Sequence, residues 1–99
     1  MTNSVLKKMI QLGLKNNLNE KIVLLGESKT MLQFACVEEL SEELTFVTFI
    51  VEITYQESTD EIRFHNIHVI DGYVTSEHIM KIEKAVEQTM KTYRELTEE

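Results

Sequence analysis

Proline is missing from the 99-residue chain altogether, there are three glycines, and cysteine occurs once. With so little of the usual punctuation, turns and helix ends must be set by Asn, Ser, Thr and Asp. A lone cysteine, Cys36, cannot close an internal disulfide, so the fold does not depend on oxidation. No apolar run approaches the roughly 20 residues that a membrane-spanning helix needs. Met1 to Leu14 carries two lysines but no apolar stretch followed by a small-residue cleavage site. These absences together predict a cytoplasmic protein that does not enter a membrane.

Positive charge is scarce as well. Ten Lys and Arg stand against seventeen Asp and Glu, a formal charge of −7. Binding to a phosphate backbone requires a basic surface that releases counterions, so direct nucleic-acid binding is disfavoured. The same field favours a protein partner that is basic or itself binds nucleic acid. Acidity also keeps a small protein soluble without any further role.

What is present is an ordinary globular composition, 42% apolar and 27% charged. It is enough for one core, hence one domain over residues 1–99, with little room for an internal cofactor cavity. No cofactor is expected.

Asn3 or Ser4 can cap an amphipathic helix that runs to about Lys15, with Val5, Leu6, Met9, Ile10 and Leu14 near helical spacing. Asn16, Asn17 and Asn19 are expected to end it. Lys21 to Leu25 reads as a strand, Gly26 to Lys29 as a turn, and Thr30 to Val37 as the partner strand. Glu38 to Glu43 reads as a solvated connection or one short helical turn. Leu44 to Tyr55 is the strongest strand, rich in β-branched and aromatic residues. Val47, Phe49, Val51, Ile53 and Tyr55 share one face by the period of two; Leu44, Phe46 and Ile50 share the other. After a polar turn at Gln56 to Asp60, Glu61 to Ile70 is the return strand. Its apolar phase changes from Ile62 and Phe64 to Ile67 and Val69, which requires a bulge near His65 and Asn66. Asp71-Gly72 closes it. A long helix follows from about Ser76 to Leu96, with Ile79, Ile82, Val86, Met90 and Tyr93 in one stripe. Glu77 with Lys81, and Glu87 with Lys91, are spaced for pairs one turn apart.

The fold class is therefore α+β: a four-stranded antiparallel meander flanked by a short N-terminal and a long C-terminal helix, in the order α-β-β-β-β-α. Two helices cover one sheet face but not obviously both. Leu44, Phe46 and Ile50 then require either a curled sheet or an added partner, such as a second copy docked through that face or through the long helix.

No catalytic set emerges. Cys36 lies beside Phe34, Val37 and the acidic Glu38, which would raise its pKa and leave it a small core residue. Gly26 to Thr30 lacks the spacing of a phosphate loop. His65, His68 and His78 are the candidate metal ligands, although residues three apart on a regular strand face opposite sides unless the bulge intervenes. The reading that follows is a non-catalytic protein-binding domain, an acidic inhibitor, immunity protein or chaperone that occupies a partner's surface, with homodimerisation as one form. Its expected contact residues are Glu38, Glu39, Glu42, Glu43, Leu44, Phe46 and Ile50. The alternative is a small metal- or ligand-binding module centred on the three histidines.

Overall fold

The computed structural model describes residues 4–18, 21–39 and 46–97. Helix α1 spans Ser4–Leu18, followed by strands β1 (Lys21–Glu27), β2 (Met31–Glu39), β3 (Phe46–Gln56) and β4 (Glu61–Asp71), then helix α2 (Ser76–Thr97). The strands form one antiparallel sheet in the order β1-β2-β3-β4, the expected meander.

Several boundaries differ from those expected. Helix α1 continues through Asn16 and Asn17, because Leu18 extends the buried stripe of Leu6, Ile10 and Leu14 by one more turn. Asn17 does not break the helix; its side-chain amide donates to the Gly13 carbonyl at 2.8 Å. Val5 was expected on the apolar stripe but is exposed. Strand β1 runs through Gly26, which pairs with Gln33, to Glu27, with Leu25 as the extra residue of a register shift, so the turn begins later than Gly26. Glu38 and Glu39 are not in a connection: they pair with Val47 and Phe46 in the ladder between β2 and β3.

The phase change in β4 is a bulge, as its apolar pattern requires. Glu52 pairs with Asn66 and Ile53 with Phe64, which leaves His65 as the extra residue. A second shift leaves Ile70 unpaired between Val69 and Asp71.

Helix α2 begins with a capping arrangement. The Thr75 carbonyl accepts the first helical bond from the Ile79 N–H at 3.3 Å, and the Thr75 N–H donates to His78 Nδ1 at 3.0 Å. His78 thus does what Glu or Gln does in a capping box, satisfying the cap residue's own N–H. Lys81 and Glu77 form the expected pair at 3.3 Å.

Both helices lie on one side of the sheet. The core between the layers holds Leu32, Phe34, Cys36, Val47, Phe49, Val51, Ile53 and Tyr55 from the strands, with Leu6, Ile10, Leu14, Ile82 and Ala85 from the helices. Cys36 is a buried core residue. Gly13 is where α1 approaches α2. A Cβ there would stand 2.8 Å from Thr89 Oγ1, so the close crossing requires a residue without a side chain. Lys7 ties α1 to β1 through Glu27 at 3.1 Å. No helix among the described residues is long and apolar enough to cross a membrane.

Candidate functional site: the bare sheet face

The helices leave the second face of the sheet without a covering layer. By the register, that face carries Lys21 and Val23 from β1, Gln33, Ala35 and Val37 from β2, Thr48, Ile50, Glu52 and Thr54 from β3, and Arg63, Asn66, His68 and Asp71 from β4; Leu25 and Ile70 are the extra residues of two register shifts, next to Gly26 and Asp71 of the same face. Its apolar members are open to solvent: Val23 is 60% exposed, Leu25 57%, Val37 36% and Ile70 63%. Ile50 is half-buried among them. The even-numbered phase of β3 was expected to outrun the helical cover, and Ile50 lies where that expectation put it.

A polar cluster occupies the middle of this face. Glu52 lies halfway along an inner strand and is 9% exposed. Gln33 Nε2 donates to its Oε2 at 2.9 Å, and His68 Nε2 lies 2.6 Å from its Oε1. The hydrogen bond from Gln33, then that from His68, holds the Glu52 carboxyl below its ordinary pKa; the charges of His68 and His65 act the same way, against the opposing effect of burial. Glu52 is therefore an ionised carboxylate. Since an ionised carboxylate only accepts, His68 Nε2 carries the proton in this contact. The arrangement links β2, β3 and β4 side to side. Chemically it offers a fixed negative charge held between Gln33, His68 and Asn66, with Ile50 beside it along the strand.

The three histidines are not brought together. His68 and the bulged His65 belong to the bare side, while His78 is buried on the helix side, edge-on to Phe49 at 5.7 Å between ring centres. No group of three or more His, Cys, Asp or Glu among the described residues is placed to hold a metal ion. The metal-module alternative loses its ligand set for this topological reason.

Among the expected contact residues, Ile50 belongs to the bare face, Glu38, Glu39 and Phe46 lie where β2 and β3 end, and Glu42, Glu43 and Leu44 fall outside the described residues. The acidic turn between β3 and β4 is at the opposite end of the meander from the β2–β3 connection, so these carboxylates do not share one end. Asp60 in that turn, which adopts a left-handed backbone (φ 52°), accepts from the hydroxyls of Tyr55 and, at 3.0 Å, Tyr93. Its charge serves to hold α2 against the β3–β4 turn.

Glu52, Gln33, Val23, Leu25 and Ile70 were not singled out from the sequence. Glu52 was findable: period two puts it on the same face as Ile50, where a carboxylate beside two uncovered strands needs a partner.

A concavity of about 720 Å³ runs between the first half of β4 and α2. Its floor is Ile62, Phe64, Val86 and Met90, and its rim mixes signs, with Arg94 3.6 Å from Glu61 and with Glu87 and Lys91 facing the same space. Glu87 and Lys91 were expected to pair along α2; they are not among the ion pairs of the described residues. A rim of both signs selects no ligand class. Set beside protein-family models, curated proteins and solved structures, the chain matches none.

Proposed function

We propose that the protein is a non-catalytic binding domain that acts by occupying the surface of another protein with its bare sheet face, in the manner of an inhibitor, immunity protein or chaperone. The observation that carries this reading is the exposure of Val23, Leu25, Val37 and Ile70 on a sheet that also holds a buried, ionised Glu52. Exposed apolar side chains gathered on a sheet without a covering layer support an interaction site.

The chemistry of the centre selects the partner. Stacking two copies face to face would press two Glu52 carboxylates into one apolar interface, and burying like charges together is costly. A partner with an apolar rim and a Lys or Arg at its centre meets Glu52 instead, and the −7 charge of the chain speeds the encounter. The preferred partner is thus a basic protein, including one whose own ligand is nucleic acid.

The test is capture of partners from the native host by the wild-type protein and by a Leu25→Asp variant, at low and high salt. Leu25 is exposed, so the substitution is expected to change stability by no more than about 0.5 kcal/mol. Loss of a basic partner with the variant, and weakening of the wild-type complex by salt, are the expected results. Equal capture by both proteins would remove the bare face as the binding surface.

A further inference from the structure

The sheet has two free edges, and they differ. Both edge strands begin and end on charged residues and both carry register shifts, one in β1 and two in β4. Strand β1 is seven residues long, and α1 reaches its edge, where Gln11 Nε2 donates to the Ile22 carbonyl at 3.3 Å. Strand β4 is eleven residues long, and its segment 64–70, Phe-His-Asn-Ile-His-Val-Ile, contains no Asp, Glu, Lys or Arg. Long, uncharged edges are the ones that recruit another strand.

The backbone of β4 shows which groups are on offer. The Tyr55 N–H donates to the Thr30 carbonyl at 2.8 Å, so odd-numbered residues of β3 direct their backbone groups towards β2 and even-numbered ones towards β4. The residues of β4 opposite odd-numbered partners are Ile62, Phe64, Ile67 and Val69. Their N–H and C=O groups therefore point to the free edge. The Ile62 N–H does so visibly, donating to Met90 Sδ of α2 at 3.4 Å. At that end α2 lies against the edge, and the Arg94–Glu61 pair reinforces the contact.

Cover stops there. Among the described residues, the outward groups of Ile67 and Val69 have no partner. Val69 shares the helix-side face with Phe49, yet it is 47% exposed, because the helix layer does not reach it. Ile70 is open on the other side. Tyr73, just beyond the strand, and Met80, in the first turns of α2, add exposed apolar surface at this same end of the molecule. Ile67 still packs against the core on the helix side, but beyond it Val69 and Ile70 are exposed and the edge is open.

We infer that this half-edge pairs antiparallel with the same segment of a second copy, making a two-fold dimer with one continuous eight-stranded sheet. Unpaired strand groups call for a strand. The occupant is a second copy because the segment is free of charge within a chain of net charge −7, so like molecules can meet here without direct repulsion. A two-fold axis also lets Ile67 and Val69 of each copy satisfy one another, and it buries Val69 and Ile70 on both sides. The pairing does not depend on the partner proposed for the bare face. It would leave both bare faces open, side by side on one surface.

Sedimentation across micromolar to submillimolar protein tests the pairing, with amide exchange read residue by residue. The wild type is expected to reach twice the mass of the chain, with the Ile67 and Val69 amides exchanging more slowly as concentration rises and those of β1 unchanged. Val69→Lys is expected to halve the mass again while keeping the folded circular dichroism; Leu25→Asp is expected to leave the dimer intact. A wild type that stays monomeric, a dimer without added protection at Ile67 and Val69, or a dimer lost in Leu25→Asp but kept in Val69→Lys would each overturn the inference. The exchange measurement uses the unaltered protein, so it decides the matter even if Val69→Lys misfolds.

Discussion

The two faces of the sheet use the same strands and nearly opposite chemistry. On the helix side, Phe34, Phe49, Val51 and Ile53 are fully buried, and polar groups tie the helices in place, as Asp60 does with Tyr93, His78 with Thr75 and Lys7 with Glu27. On the bare side the apolar residues are exposed, and the polar cluster of Gln33, Glu52 and His68 binds strand to strand. The helix side is thus organised around stability, while the bare side exposes what a folded monomer has no need to expose. Alternation alone puts residues on two faces; which face becomes the core is decided by where the helices lie.

The sharpest way to test that division is to damage the helix side. Phe49→Ala removes a fully buried ring that packs against His78, and a loss of about 3–5 kcal/mol in urea unfolding is expected. A smaller loss would mean that the bare side contributes more to stability than its exposure implies. Next comes the polar tie between helix and turn. Tyr93→Phe removes one hydroxyl from Asp60 and is expected to cost about 1–2 kcal/mol, with earlier loss of α2 in amide exchange.

On the bare side the expected effect is one of pH. The folded pKa of Glu52 is depressed, so its stabilising contribution is present above the ordinary carboxylate pKa and is lost as pH falls through the folded value. Melting temperature measured from neutral to acid pH should therefore fall more steeply for the wild type than for Glu52→Gln, which has no carboxylate to protonate. Coincident curves would show that the cluster does not hold the strands together. The smallest expected effect on stability is that of Leu25→Asp, because Leu25 already faces water. A marked loss of stability there would erase the contrast between the faces.

Much of this architecture was legible in the residue pattern, and the misses share a cause. The period of two in Val47 to Tyr55 identified the buried face of β3, and the change of phase between Phe64 and Ile67 located the bulge at His65. Gly26 and Asn16-Asn17 misled because local preference for turns and helix ends is worth about 1 kcal/mol or less, and tertiary burial of Leu18 or pairing of Glu27 with Leu32 overrides it. His78 looked like a ligand because sequence distance says nothing about which side of a sheet a helix end will face.

The bare face was legible in outline only. By the count of apolar residues two helices did not obviously cover both faces, which left a curled sheet or an added partner for the second face, and Ile50 was assigned to that face. The value of Glu52 was not visible, because its ionisation depends on Gln33 and His68, nineteen and sixteen residues away along the chain.

The sequence by itself determined the elements, their order, the faces of the central strand and the net charge, because these follow from local periodicity and composition. Only the tertiary structure decided that both helices take one side, that His78 caps a helix, and that the helix layer ends before Val69. Those outcomes depend on packing between residues far apart in the chain. The close α1–α2 crossing at Gly13, where a Cβ would stand 2.8 Å from Thr89 Oγ1, is another such outcome.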